Sequence, residues 1–153
     1  MWFVSALVLG FVAGLRSMTA PAAASWGAWL GILPVQNTPL AFMGYRYTHL
    51  IFTVLAVGEL IADKLPFTPS RKAPPPFIAR IVSGALTGAT VGAVEHSLIV
   101  GLILGALGAV AGTLGGAFVR GRLAAAFKRD FPAALLEDIV TVALAIFFIQ
   151  VLR

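Results

Sequence analysis

The chain has 153 residues, of which 59% are hydrophobic and 11% are charged, and its formal net charge is +5. Soluble domains carry about 25% charged residues, so a soluble protein this short would have too few charges to cover its surface. One membrane domain of several helices, covering residues 1–153, is the economical interpretation. Because the chain has no cysteine, disulfides, Cys-ligated zinc and cysteine nucleophiles are excluded.

The first apolar stretch, about residues 2–33, is longer than the roughly 20 residues that one membrane span needs. Residues 16–21, which begin with Arg16 and end with Pro21, interrupt it. Since proline disfavours helix at the preceding residue, we expect either one kinked helix or a helix followed by a second short one. Arg16 follows the apolar run and no Lys or Arg precedes it, the reverse of a signal peptide, so we interpret the stretch as a membrane segment.

Four further apolar stretches complete the predicted fold, an all-α polytopic membrane helical bundle with about five transmembrane spans and a broken first segment. Tyr45 and Tyr47, which suit a membrane interface, precede the second span. Prolines in residues 66–76 favour a stiff, extended connection between the second and third spans. The four later spans cover about Thr48 to Leu65, Phe77 to Val94, Leu98 to Val119 and Ala133 to Leu152.

The basic residues are concentrated in two connections, since eight of the eleven lie in residues 64–80 or 120–129. By the positive-inside rule both connections are cytoplasmic, and we expect them to contact the anionic headgroups of membrane lipids rather than nucleic acid. Five spans then place the amino terminus inside and the carboxyl terminus outside. If the first segment crosses twice or re-enters the membrane, the amino terminus moves outside and the basic connections keep their side.

Glycines recur at close to four-residue spacing in the third and fourth spans. This spacing places them along one helix face, where small residues let two backbones approach closely. The pattern predicts tight helix contact, within one chain or between chains, and leaves open whether the glycines also line a pathway. They are Gly84, Gly88 and Gly92 in the third span, and Gly101, Gly105, Gly108, Gly112 and Gly116 in the fourth.

Two carboxylates end the predicted second span, and ionisable groups inside spans are costly and are functional candidates by default. Glu59 and Asp63 are four residues apart and share a helix face. Lys64 marks the inner membrane edge, so Glu59 lies roughly 7 Å inside that edge at 1.5 Å per residue. Glu59, the deeper carboxylate, is therefore the first functional candidate.

Three charged residues enter the later spans from the same side. Arg80 begins the third span, and Glu137 and Asp138 lie a turn or so beyond the start of the fifth. We expect them to gather with Glu59 and Asp63 as a substrate- or ion-binding site for a cation, a proton or a solute with an amine. The structural alternative is that Glu59 or Asp63 pairs with Arg80 or with the arginine of the first segment, while Glu137 and Asp138 stabilise a helix N-terminus.

Arg16 lies at the break in the first segment, where freed backbone groups need partners and often line a cavity. It could bind an anionic group there, such as a carboxylate or a lipid phosphate, or it could neutralise Glu59. Arg71 and Lys64 belong to the proline-rich connection, where we expect them to contact lipid headgroups or to fix the conformation of the loop.

The sequence contains no Walker motif, nucleophile elbow, His-Glu-x-x-His motif or dinucleotide fingerprint. We therefore expect no catalytic residue, no enzymatic activity and no cofactor. His49 and His96 lie far apart beside apolar runs, so a histidine-based metal site is not expected, although a mixed carboxylate site stays open.

Several of these residues form a pattern that is similar to that of a known family. The pattern consists of Gly14-Leu15-Arg16-Ser17, Gly58 to Pro66 followed by Pro69, Arg71 and Pro74, Arg80 with Ser83-Gly84-Ala85, and Glu137-Asp138. It resembles the bacterial membrane family catalogued as domain of unknown function 4126, over nearly the whole chain. The resemblance implies a multi-pass protein of the bacterial cytoplasmic (inner) membrane and implies no established activity.

Two functions are open at this point. The intramembrane charges, the broken first segment and the glycine-rich faces favour a small transporter or channel for an ion, a proton-coupled solute or a small polar solute. Five short spans leave little room for a pathway in one chain, so we expect a homo-oligomer. The alternative is a non-transporting membrane module that binds lipid or a partner membrane protein.

Overall fold

The computed structural model describes residues 1–62 and 74–153. Within these ranges the regular structure is all helical, as the sequence predicts, and includes one turn of 3-10 helix at Ala41–Gly44. Three predicted site residues, Asp63, Lys64 and Arg71, lie outside the described residues. The α helices are α1 (Trp2–Leu15), α2 (Thr19–Trp29), α3 (Thr48–Ala62), α4 (Pro74–Val94), α5 (Leu98–Phe127) and α6 (Asp130–Val151).

Three of the described helices are long and apolar enough to cross a membrane, judged by length and composition. They are α4, α5 and the Phe131–Val151 part of α6, with 21, 30 and 21 residues, and they agree with the predicted membrane class. Helices α1 and α3 are apolar but have only 14 and 15 residues, fewer than the roughly 20 that one crossing needs. The number of five spans therefore stays a prediction.

Two predicted boundaries differ from the structure. The fourth span was expected to end at Val119 and to be followed by a basic loop, but α5 continues to Phe127. Residues 120–127 are rich in Ala, Arg and Leu, which are strong helix formers, and the helix ends where Lys128 adopts a left-handed backbone with φ of 57°. Helix α4 begins at Pro74 rather than Phe77, because prolines fit the first turn of a helix.

The first apolar segment is broken at Arg16, whose backbone is extended (φ −141°, ψ 110°) between α1 and α2. Pro21 lies in the first turn of α2, where its missing N–H has no helical partner to lose. The proline therefore belongs to the start of a second helix, and the alternative of one kinked helix does not hold.

Glycine contacts show that α1 runs parallel to α5. A Cβ added to Gly10 would run into the backbone of Gly105, and one added to Gly14 would run into that of Gly112. Both residue numbers rise together along the contact, so the two helices point the same way.

Helix α4 packs antiparallel against α5 through glycines on both helices. Gly84 lies against Gly105 and Gly88 against Gly101, so that an added Cβ at any of the four would meet backbone atoms of the other helix. The close helix approach that the glycine spacing predicts is therefore found among helices of one chain.

Helix α2 runs parallel to α6 and thus back along α1. Arg16, just before α2, pairs with Asp138 near the start of α6, whereas Gly27 near the end of α2 lies against Ile149 near the end of α6. Since α5 and α6 are antiparallel neighbours, α1 and α2 form a helical hairpin. We call residues 16–18 the hairpin tip.

The hairpin brings the amino terminus, the segment 31–47 and the carboxyl terminus to one end of the bundle. Ala6, Leu33, Met43 and Ile149 are buried together in one apolar cluster there. The hairpin tip points toward the opposite end, where α5 carries its basic residues. Both termini therefore lie at one end of the bundle, as is expected if the first segment crosses twice or re-enters, and the number of crossings stays a prediction.

Candidate functional site

The break between α1 and α2 exposes the carbonyl groups that end one helix and the amide groups that begin the next. Arg80, in the second turn of α4, donates hydrogen bonds to the carbonyl groups at the end of α1. Its Nη1 donates to the carbonyl oxygens of Gly14 at 2.8 Å and Leu15 at 2.7 Å, and Thr113 of α5 also donates to Gly14, at 3.3 Å. A cation at a helix C-terminus has the favourable sign for the helix dipole.

Glu59, near the end of α3, accepts hydrogen bonds from the amide groups that precede α2. Its Oε1 accepts from the Ser17 amide at 2.8 Å and from the Ser17 hydroxyl at 2.9 Å, and its Oε2 accepts from the Met18 amide at 2.8 Å. Both amides lie just before α2, at its N-terminal end, where backbone N–H groups and the helix dipole favour an anion. Here the anion belongs to the protein itself.

The two residues that cap the break also contact each other. Nη2 of Arg80 lies 3.8 Å from Oε1 of Glu59, and the two side chains are 6% and 14% exposed. The segment between α1 and α2 is therefore held by one ion pair that reaches it from two other helices.

Arg16 connects the hairpin tip to α6. Its side chain is fully buried, its Nε donates to Oδ1 of Asp138 at 2.7 Å, and its Nη2 lies 2.5 Å from the same oxygen. The Nη2 atom is also 3.6 Å from Oε2 of Glu137, which in turn lies 3.3 Å from Nη1 of Arg120 on α5. Four charged groups thus form a continuous chain of ion pairs.

The charged residues around the tip balance one another among the residues that the structure describes. Three arginines face three carboxylates, and each is less than about one-sixth exposed. Burying charges is costly unless they are paired and hydrogen-bonded, and these are. We call this set the tip network: Arg16, Glu59, Arg80, Arg120, Glu137 and Asp138.

The tip network contains five of the predicted site residues and corrects one predicted pairing. Arg16 was given as a possible partner of Glu59, but it binds Asp138, while Glu59 binds Arg80, its other predicted partner, and the amides of Ser17 and Met18 just before α2. The hairpin explains this, because the turn directs the Arg16 side chain toward α6 and the following amides toward α3. Asp63, the sixth predicted residue, lies outside the described part of the chain.

Arg120 was assigned to a basic loop, and its place in the network was missed. A signal was present, because Arg120 continues the four-residue row of Gly112 and Gly116 and so shares the inward face of the same helix. The Ser17 and Met18 amides were missed as well, since backbone donors carry no sequence signal apart from the helix break that Pro21 indicates.

An apolar crevice lies beside the network, between α1, α5 and α6. Its volume is about 300 Å³, and Arg120 and Glu137 stand at its edge among apolar residues that include Phe11, Leu15 and Val140. Within the described ranges, no three His, Asp or Glu side chains are grouped as a metal ion would require.

Comparison with known proteins adds no relative to this geometry: no protein-family model, no curated protein and no solved structure matches the chain. The likeness to the bacterial membrane family therefore stays an expectation from the sequence.

Proposed function

We propose that the protein is a small membrane transporter or channel that moves an ion, a proton or a small polar solute through a step at Glu59. The observation that carries the proposal is the carboxylate of Glu59 on the amides of Ser17 and Met18, at 2.8 Å each. A broken helix inside a membrane domain, with a carboxylate at the N-terminus of its second half, is an arrangement that transporters use to bind substrates.

The site lends itself to exchange because the anion on it is a side chain that can be displaced. Movement of Glu59 away from the hairpin tip would free the Ser17 and Met18 amides. The anionic group of a solute could then take the place of the carboxylate, since helix N-termini bind such groups readily. Arg80 would remain beside either anion, because the backbone carbonyls of Gly14 and Leu15 also hold it.

Helix α3, which carries Glu59, is the element best able to move. Of its 15 residues only His49 and Ala56 are buried. The contacts among α1, α4 and α5 are backbone to backbone, and such packing does not deform gradually. Opening of the site therefore consists of α3 moving away from the hairpin tip while the glycine-packed helices stay together.

The basic residues indicate on which side of the membrane the site would open. Arg120, Arg122, Lys128 and Arg129 lie at the end of the bundle to which the hairpin tip points, and the positive-inside rule makes that end cytoplasmic. In that orientation both termini lie on the other side of the membrane, and Glu59 opens toward the cytoplasm. A single chain offers little width for a pathway, so a homo-oligomer is part of the proposal, as is placement in a bacterial cytoplasmic membrane.

The test is flux through the purified protein reconstituted in liposomes. The panel should include protons, monovalent cations, halides, small carboxylates and amines. Glu59→Gln keeps the size of the side chain but cannot release and take up a proton, and it weakens charge-assisted hydrogen bonds that contribute about 1.5–3 kcal/mol. We expect flux of the transported species to fall by about tenfold or more.

The matched control is Gly58→Ala. Gly58 is the neighbour of Glu59, is exposed, and has open space where a Cβ would be added, so its flux should equal that of the natural sequence. Absence of flux across the whole panel, or equal flux in Glu59→Gln, would overturn the proposal.

A further inference from the structure

The apolar crevice of about 300 Å³ follows from the different lengths of α1 and α5. Helix α1 ends at Leu15, one residue after Gly14, which lies beside Gly112, whereas α5 continues through Phe127, roughly 20 Å further at 1.5 Å per residue. Beyond the hairpin tip α1 has ended, so it no longer covers the side of α5 against which it packs. The crevice occupies this position, with α6 as its opposite wall.

The open space is not required for helix packing. Gly115 lines the crevice, yet a Cβ added there would meet no atom within 4 Å, unlike one added to Gly105 or Gly112 on the same helix. The other lining residues include Leu15, Val119, Leu136 and Val140. A cavity with such walls offers water few hydrogen-bonding partners, and its volume is at the lower limit of ligand pockets, about 300–1,000 Å³.

We propose that the crevice binds one acyl chain of an anionic phospholipid, with the phosphate of that lipid beside Arg120. Helices α5 and α6 are long and apolar enough to span a membrane, so acyl chains are the molecules that reach their outer faces. The positive charge of this end favours an anionic headgroup, since Arg120, which lines the crevice with its ion-pair partner Glu137, is followed in the sequence by Arg122, Lys128 and Arg129. Basic residues at a membrane surface attract anionic lipids.

The lipid would be linked to the tip network through Arg120. This side chain pairs with Glu137 at 3.3 Å, and Glu137 lies 3.6 Å from Arg16. A phosphate at Arg120 would compete with Glu137 for the guanidinium group of Arg120. Glu137 would then interact with Arg16 alone among these two arginines. The site does not depend on the proposed transport function, because its parts are a crevice and a cation that are present whether or not the protein moves a solute.

The experiment measures lipid binding by the full chain in detergent, by native mass spectrometry, with phosphatidylglycerol or phosphatidylcholine added. We expect phosphatidylglycerol to bind about tenfold more tightly. Gly115→Leu fills the crevice and should weaken that binding about tenfold or more. Gly121→Leu is the matched control, because Gly121 is on the same helix, also has open space for a Cβ, and lies outside the crevice lining.

A second variant tests the headgroup. Arg120→Gln combined with Glu137→Gln removes both members of the ion pair, and it should abolish the preference for phosphatidylglycerol while an acyl chain still fits. If Gly115→Leu fails to fold, as shown by loss of its helical circular dichroism, Val119→Trp replaces it in the test. The side chain of Val119 lines the same crevice and is 53% exposed, so the larger ring fills the crevice.

Three results would overturn the proposal. The first is equal binding of phosphatidylglycerol by Gly115→Leu and Gly121→Leu, and the second is equal binding of the two lipids by the natural sequence. The third is dissociation of an oligomer in Gly115→Leu with lipid binding unchanged, which would show that a second copy of the chain covers the crevice.

Discussion

The glycine-packed contact of α1, α4 and α5 and the tip network are held together by opposite means. In the first region, backbones touch where glycines such as Gly88 and Gly101 face each other. In the second region, the contacts are ion pairs and hydrogen bonds between distant parts of the chain, such as Arg16 with Asp138 and Ser17 with Glu59.

The difference separates a rigid part from a part that can respond to charge. Backbone packing depends on shape, so it is lost when volume is added and is insensitive to protons or ions. Buried ion pairs depend on both partners being charged, so removing one leaves the other uncompensated. We therefore expect changes of volume to act on the first region and changes of charge to act on the second.

The largest effect is expected for Arg16→Leu. The side chain is fully buried and holds Asp138 and, more distantly, Glu137, so its loss should destabilise the folded protein by about 3–5 kcal/mol. Unfolding in detergent, followed by circular dichroism, measures the change. The double variant Arg16→Leu with Asp138→Leu should recover much of the loss, because an apolar pair can replace a buried ion pair. A single variant as stable as the natural sequence would show that the pair is not formed.

The second effect compares two glycines of α5. A Cβ at Gly105 would collide with the carbonyl oxygen of Gly84, whereas a Cβ at Gly115 would meet nothing. Gly105→Ala should destabilise by about 1–3 kcal/mol or more through overpacking, and Gly115→Ala should be neutral or stabilise by up to about 1 kcal/mol through helix propensity. Equal unfolding midpoints for the two variants would contradict the close packing of the Gly105 and Gly84 backbones.

The smallest effect concerns the attachment of α3. Nε1 of Trp26 on α2 donates to Oγ1 of Thr53 at 2.8 Å, and the rings of Trp26 and Trp29 lie 4.3 and 4.9 Å from that of His49. Trp26→Phe keeps a ring but removes the donor, at a cost of about 0.5–1.5 kcal/mol. Hydrogen exchange should increase in α3 and remain unchanged in α5. An equal increase in both helices would contradict a separately mobile α3.

The sequence predicted the class of the protein better than the path of its chain. Composition indicated a helical membrane domain, and the position of Pro21 indicated a helix break, because both depend on local residue types. The direction of α2 could not be read in this way, since a crossing and a turn back have the same composition. The contacts with α6 that establish the direction, such as Gly27 with Ile149, join residues far apart in sequence.

The sequence predicted most residues of the candidate site, but it predicted fewer of the ion pairs that they form. Glu59, Arg80 and Asp138 are recognisable because charges are rare within apolar segments. Which carboxylate meets Arg16 depends on the hairpin, and the role of Arg120 depends on α5 continuing past Val119. The first is a consequence of tertiary structure, whereas the second could be read from the helix-forming residues that follow Val119.

The hairpin is the claim on which the site and its function depend, and single-cysteine labelling tests it most directly. The chain has no cysteine of its own, so a cysteine inserted after Met1, Asn37→Cys and Lys128→Cys can each be treated with a membrane-impermeant maleimide in sealed vesicles. We expect the cysteine after Met1 and that at position 37 to react from the same side, and that at position 128 from the other. Reaction of the first two from opposite sides would show that the first segment crosses the membrane once, and would contradict the hairpin.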